Sequence, residues 1–155
     1  MLSRSIGALA AAAALACGAF SAPAAAQTYK FAIANDLSGP SSYHGKTFAA
    51  GFNIYLREVN DAGGVNGRKL ELLQENAERN VQKEIGFLRK FAQQDNALGT
   101  MIVTSDGMFA AKPIVESLKV PLTAIGVPEL ASNPPHPWIF NIFASYQDTV
   151  FAAID

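Results

Sequence analysis

The pattern that most constrains the fold of this chain is a regular alternation of short apolar runs and longer amphipathic segments that begins at Tyr29. Tyr29 to Asn35 has the length and composition of a buried strand, and apolar residues then recur at helical spacing from Phe48 to Val59. The succession repeats and predicts the order β, α, β, α, β, α, β, β, α. Because parallel neighbours require crossover connections, it indicates an α/β fold with a doubly wound parallel sheet and helices on both faces.

Turn and capping residues set the limits of the first elements. Gly63-Gly64 ends the first predicted helix, and Asn66-Gly67 makes a tight turn into the second strand, Lys69 to Gln74. The second helix carries apolar residues at helical spacing from Val81 to Ala92, and Asn80 precedes it as a cap. Each helix is therefore expected to bury one face.

Later in the chain, further apolar runs predict strands at Leu98 to Val103, Val120 to Ile125 and Trp138 to Asn141. Ser105 or Asp106 is placed to cap the third helix, in which Pro113 predicts either a kink or a later start. Ser145 with Asp148 has the pattern of a capping box that opens a last helix. That helix reaches the end of the sequence without a stop signal, so we expect a continuation.

The first 26 residues have the pattern of a cleavable signal peptide. Arg4 is followed by an apolar stretch from Ile6 to Phe20 and by Ala24-Ala25-Ala26, so cleavage is expected after Ala26. The apolar stretch is shorter than the roughly 18 residues that span a bilayer, and lipid attachment at Cys17 is the minority alternative. The protein is therefore predicted to reach the periplasm, with residues 27–155 forming one domain that contains no cysteine.

Charge and motifs argue against several classes of function. The 12 basic and 13 acidic side chains nearly balance and form no basic patch, which disfavours nucleic acid as a partner. No phosphate-binding glycine loop or nucleophile elbow occurs, and His44 and His136 have no second ligand at metal spacing. We therefore expect no cofactor, no metal and no enzymatic activity, and a small molecule or another protein as the partner.

The predicted sheet also indicates where a ligand would bind. In doubly wound sheets, ligands bind beyond the carboxyl ends of the strands, where loops and helix N-termini present backbone N–H groups. Three predicted loops lie at this edge: Ser38 to Gly45, Thr104 to Gly107 and Gly126 to Glu129. We expect the ligand-binding residues to lie in these loops.

Several segments, in this order behind the signal peptide, carry a resemblance to a known family: Leu37-Ser38-Gly39-Pro40 with Gly45, Val59-Asn60-Asp61-Ala62-Gly63-Gly64-Val65-Asn66-Gly67-Arg68-Lys69-Leu70, Pro113-Ile114-Val115-Glu116 leading to Val120-Pro121-Leu122, and Pro134-Pro135-His136-Pro137-Trp138-Ile139-Phe140. Together they resemble the branched-chain amino acid (Leu/Ile/Val) type of periplasmic solute-binding protein of ABC importers. The resemblance implies the type 1 periplasmic binding fold, in which two lobes are joined at a hinge. It implies that residues 27–155 supply most of the first lobe, either as a fragment or as an isolated lobe.

The resemblance also implies roles for residues in the predicted loops. Ser105 matches a serine that holds the ligand's carboxylate, and a plain helix N-cap is its alternative role. His44 falls where the family often has a tyrosine that packs on the ligand, and Tyr43 lies one residue earlier, so the role belongs to one of them, or else both are exposed loop residues. Thr104 and Asp106 are further candidates because they share the predicted loop with Ser105, although Asp106 would disfavour a carboxylate unless it points away or binds a cation.

The last of the predicted ligand loops departs from the family's pattern. Gly126 matches a position that offers backbone groups to the ligand, or else it is a turn glycine. In the Val127-Pro128 segment the family often has a threonine, and proline offers neither a hydroxyl nor an N–H. The solute therefore stays open between an amino acid and a related amide or carboxylate. The predicted function is binding of such a solute outside the cytoplasm and its delivery to the membrane permease of an ABC importer, with the ligand-sensing ectodomain of a receptor as the alternative.

Overall fold

The computed structural model describes residues 27–125 and 134–154, so the predicted signal peptide and the loop from Gly126 to Glu129 lie outside the described residues. The elements in chain order are β1 (Tyr29–Asn35), α1 (Ser42–Asp61), β2 (Leu70–Asn76), α2 (Val81–Gln93), β3 (Gly99–Ile102), α3 (Ser105–Leu118), β4 (Leu122–Ala124), β5 (Ile139–Asn141) and α4 (Tyr146–Ile154). This order confirms the alternation predicted from the sequence, and the predicted strand limits agree with the observed ones to within two residues.

The described strands form one parallel sheet in the order β2-β1-β3-β4-β5. β1 pairs with β2 along its whole length, from Tyr29 opposite Leu70 to Asn35 opposite Asn76, and pairs with β3 on its other side. The chain therefore steps to one side of β1 for β2 and to the other side for β3. Because crossovers are right-handed, this reversal places α1 and α2 on opposite faces and opens a crevice at the carboxyl ends of β1 and β3.

The hydrophobic core lies on the face that α2 and α3 cover. Phe91 and Leu88 of α2, each 1% exposed, meet Met108 and Val115 of α3 above Ile102 of β3. α1 packs on the other face, mainly against β2. The doubly wound arrangement with helices on both faces is thereby confirmed, and the packed core holds the carboxyl edge of the sheet in place.

Two of the predicted helix caps are confirmed by side-chain hydrogen bonds. The Asn80 side chain accepts the backbone N–H of Lys83 at 3.0 Å and caps α2. Ser145 Oγ accepts the backbone N–H of Asp148 at 3.0 Å, and the Ser145 backbone N–H donates to Asp148 Oδ2 at 3.3 Å, which is the reciprocal pattern of a capping box.

The predicted cap of α3 is wrong by one residue. Thr104, in extended conformation, is the N-cap and accepts the N–H of Gly107 at 3.0 Å. Ser105 and Asp106 are the first two helical residues, so neither is the cap. Pro113 lies inside α3 and does not delay its start.

The tight turn between α1 and β2 also forms as predicted. Asn66 and Gly67 have positive φ angles of 51° and 75°, and Val65 bridges Arg68 across the turn. Gly64, at φ 83°, donates its N–H to the Val59 carbonyl at 2.8 Å and ends the helix. This turn sends β2 back alongside β1.

Candidate functional site

A cleft of about 230 Å³ opens at the carboxyl edge of the sheet. The ends of β1, β3 and β4, the first turn of α1, the β2–α2 loop and the start of α4 form its walls. This is the crevice at which strand order reverses on either side of β1, the usual ligand position in open α/β sheets. The cleft is the candidate functional site.

The corner between β1 and α1 is held by buried hydrogen bonds. Asn35, fully buried, donates from Nδ2 to the Gly45 carbonyl at 2.8 Å, and its Oδ1 accepts the Asp36 N–H at 2.9 Å. A Cβ atom at Gly45 would lie 2.0 Å from the Asp36 carbonyl oxygen. Glycine is therefore required here for the first turn of α1 to approach β1 and to carry His44 to the wall of the cleft.

The two candidate aromatic residues lie in different surroundings. His44 lines the cleft, whereas Tyr43 is 74% exposed and lines an apolar groove along α1 that Phe52 and Tyr55 continue. The Tyr43 and His44 rings meet edge to face, with centroids 5.7 Å apart. Of the two, His44 is the one placed to contact a solute in the cleft, and this role stays a prediction.

Ser105, the first residue of α3, is joined to Tyr146, the first residue of α4. Ser105 Oγ lies 3.2 Å from the Tyr146 hydroxyl, and Tyr146 lines the cleft. Sequence reasoning missed Tyr146. The capping box at Ser145 was the signal that could have found it, because such a cap sets the next residue at a helix N-terminus on the carboxyl edge of the sheet.

Thr104 has a structural position behind the cleft. Its hydroxyl lies 2.8 and 2.6 Å from the two carboxylate oxygens of Glu84, donating to this group while it accepts the Gly107 N–H. Burial raises the pKa of the fully buried Glu84 carboxyl, the hydrogen bond from Thr104 opposes that rise, and the negative charge of Asp36 adds to it. Because these partners occupy the Thr104 hydroxyl, we assign it to holding the start of α3.

Of the predicted site residues that the structure describes, His44 belongs to the lining of the cleft, whereas Tyr43, Thr104, Ser105 and Asp106 do not. Asp106 is exposed in the first turn of α3, and its charge faces solvent. Gly126 lies outside the described residues, so its role stays a prediction. Within residues 27–125 and 134–154, no cluster of three or more histidine, cysteine, aspartate or glutamate side chains is arranged to hold a metal ion.

Arg79 is a second cleft residue that sequence reasoning missed. It lines the cleft from the β2–α2 loop, where its backbone N–H donates to Asp36 Oδ1 at 2.6 Å and its Nη1 donates to Ser41 Oγ at 2.9 Å. The signal was a charged residue directly before the Asn80 cap, in a loop that follows a parallel strand. These bonds tie the loops after β1 and β2 together at the mouth of the cleft.

A parallel sheet with helices on both faces and a cleft at its carboxyl edge defines the chain as a doubly wound α/β domain. The chain belongs to the periplasmic binding protein family, whose model matches residues 28–155. The Leu/Ile/Val-binding protein homolog 7 of Brucella suis biovar 1 (strain 1330) is 35% identical over 106 residues, which cover 68% of this chain and 26% of that protein. The chain thus spans about a quarter of that relative's length. These matches confirm the family resemblance found in the sequence motifs.

Solved structures share the fold at low identity. A possible leucine/isoleucine/valine-binding protein from Rhodopirellula baltica SH 1 superposes with a TM-score of 0.76 at 20% identity, covering 87% of this chain and 37% of that chain. A branched chain amino acid ABC transporter protein from Thermus thermophilus with bound valine gives a TM-score of 0.76 at 18% identity, covering 83% and 34%. These similarities establish the fold. Among the described residues, no helix is long and apolar enough to cross a membrane.

Proposed function

We propose that this protein binds a small polar solute outside the cytoplasm and delivers it to the permease of an ABC importer. The solute class is an amino acid or a related amide or carboxylate. The observation that carries the proposal is the cleft at the carboxyl edge, whose lining residue Tyr146 meets the Ser105 hydroxyl where two helices begin. Membership of the periplasmic binding protein family supports it.

The electrostatics of this edge suit a polar solute. The helices α1, α3 and α4 all begin here, and the first N–H groups of a helix carry partial positive charge. The Ser105 and Tyr146 hydroxyls donate or accept as the solute requires. Phe48, Val103 and Ile125 supply apolar wall to the same cleft, so a solute with a polar head and a small apolar part fits its lining.

The proposed organisation follows the family. Residues 1–26 act as the signal peptide that directs export to the periplasm, and residues 27–155 form the first lobe of the binding domain. A single wall buries only part of a small ligand, whereas ligand pockets normally bury most of it. The solute therefore docks on the cleft and a second lobe closes over it about a hinge, which shifts the protein toward the form that the permease accepts.

The first test is a solute screen on the complete gene product expressed from Gln27. Calorimetry and thermal unfolding against amino acids, amides and small carboxylates identify solutes that bind the native state, because such binding raises the melting temperature. Ser105→Ala is expected to weaken binding of the tightest-binding solute by about 1–3 kcal/mol, because it leaves a ligand oxygen without its hydrogen-bond partner. Ser117→Ala, on an exposed part of the same helix, is the matched control and leaves affinity unchanged.

The outcomes separate the function from the role of Ser105. If Ser105→Ala binds the solute with wild-type affinity, Ser105 is not part of the site, but the proposed solute binding is unaffected. Failure of every solute to bind contradicts the proposed function itself. Uptake of labelled solute by cells with and without the gene distinguishes transport from sensing, since a receptor ectodomain would bind solute without supporting uptake.

A further inference from the structure

The lining of the cleft contains one acidic and one basic side chain, which lie next to each other. Of the charged residues that the structure describes, Asp36 and Arg79 belong to its lining. Asp36 is 3% exposed, and its Oδ1 accepts the backbone N–H of Arg79 at 2.6 Å. Arg79 is exposed, and its side chain reaches across the mouth to Ser41. The buried carboxylate therefore holds the loop, while the guanidinium is the charge that an entering solute meets.

The carboxylate next to Arg79 in sequence does not neutralise it. Glu78 forms an ion pair with Lys83 in the first turn of α2 and accepts a hydrogen bond from Ser38. Glu78 and Arg79 have successive positive φ angles of 55° and 53°, a left-handed turn that non-glycine residues adopt rarely. The hydrogen bond and charge of Lys83 lower the pKa of the Glu78 carboxyl, so Glu78 stays ionised and paired with Lys83.

The guanidinium of Arg79 retains binding capacity. Nη1 donates to Ser41 Oγ at 2.9 Å, and among residues 27–125 and 134–154 Arg79 forms no ion pair. A guanidinium has five N–H donors in a planar fork that matches the two oxygens of a carboxylate. The other nearby acid, Glu84, is fully buried behind the cleft against Thr104, where an entering solute does not reach it.

Arg79 and Tyr146 thus line one cleft of about 230 Å³, and the Tyr146 hydroxyl lies 3.2 Å from Ser105 Oγ. We infer that Arg79 selects solutes with a second acidic group, so that the cargo is an acidic amino acid or a small dicarboxylate. This inference rests on the proposed function, because it assumes that Ser105 and the start of α3 hold one polar group of the solute. The second carboxylate pairs with the fork of Arg79, and helix N-termini on the same edge add to the attraction.

Matched pairs of acids and amides test this selection on the complete gene product. Calorimetry compares glutamate with glutamine, aspartate with asparagine and succinate with succinamate, with leucine and valine as neutral solutes. The wild-type protein is expected to bind one acid at least about tenfold more tightly than its amide. Arg79→Gln is expected to lower the affinity for that acid by about 10- to 100-fold and to change the affinity for the amide by less than about threefold.

Two further variants separate recognition from structure and from bulk charge. Arg79→Lys keeps the charge but loses the fork, so an intermediate affinity is expected. Lys46→Gln removes one positive charge from an exposed position of α1 outside the cleft lining and is expected to leave the acid-to-amide ratio unchanged. Melting temperatures without solute show whether each variant is folded.

Each outcome decides a different statement. The role of Arg79 is overturned if the wild-type protein binds a neutral solute as tightly as the corresponding acid, or if Arg79→Gln keeps the ratio of acid affinity to amide affinity. Either result leaves the proposed solute binding intact. Binding of no solute, acidic or neutral, overturns the proposed function together with this inference. Loss of the acid preference in Arg79→Gln, with the preference kept in Lys46→Gln, supports it.

Discussion

Gly107, in the first turn of α3, packs directly against the buried carboxylate of Glu84. A Cβ atom at this position would lie 1.7 Å from Glu84 Oε2 and 2.8 Å from Thr104 Oγ1, well inside the 3.0 Å that real Cβ contacts keep. Glu84 is fully buried, so its carboxylate cannot move aside without leaving Thr104. Gly107→Ala is therefore expected to break the hydrogen bond that holds the start of α3.

The expected loss of stability follows from three contributions. Losing a hydrogen bond to a charged group costs about 1.5–3 kcal/mol, and overpacking a buried site costs about 1–3 kcal/mol more. Replacing glycine by alanine inside a helix returns about 1 kcal/mol. The net reduction in unfolding free energy is about 1.5–5 kcal/mol, measurable as a lower urea midpoint in circular dichroism.

A double-mutant cycle with Glu84→Ala identifies the cause. Without the carboxylate, Gly107→Ala is expected to cost less than about 1 kcal/mol, so the coupling free energy is at least about 0.5 kcal/mol. Gly86→Ala is the control: a Cβ added at this exposed glycine of α2 would have no atom within 4 Å, and alanine there gains up to about 1 kcal/mol. An equal cost of Gly107→Ala with and without Glu84 would show that the carboxylate is not what excludes a Cβ atom at this position.

Three further predictions concern stability. The raised pKa of the Glu84 carboxyl means that the folded state holds this proton more tightly than the unfolded state, so stability falls as pH rises from about 4.5 through the raised pKa. Glu84→Gln is expected to remove this dependence of stability on pH. Melting curves of the variant that keep the dependence would contradict the assignment to Glu84. Asn80→Ala removes the cap bond to Lys83 and is expected to cost about 1 kcal/mol in urea unfolding, whereas a neutral result would show that the cap is dispensable. Phe91→Ala removes a core side chain that is 1% exposed and is expected to lower the free energy of unfolding by about 3–5 kcal/mol. A loss below about 1 kcal/mol would be incompatible with a fully packed Phe91.

Most of the fold could be predicted from the sequence because its signals are local. The apolar run of β1, the helical spacing of α2 and the Asn66-Gly67 turn each depend on residues within a few positions of one another. The Asn80 cap and the Ser145 capping box span three residues and form as predicted. Capping of α3 was misplaced because Thr104, Ser105 and Asp106 are all competent caps, and only the backbone conformation of Thr104 chooses among them.

The candidate site depended on tertiary structure. Its defining contacts join residues far apart in the chain: Ser105 and Tyr146 are separated by 41 positions, and Arg79 and Ser41 by 38. Periodicity shows which residues face a core, but it does not show which loops meet at the carboxyl edge of the sheet or which way a polar side chain turns there. Local sequence patterns therefore specify the elements, their order and the edge at which we expect a ligand to bind. The tertiary structure decided that His44, Arg79 and Tyr146 surround the cleft while Thr104 turns inward to Glu84, because only packing brings their separate loops together.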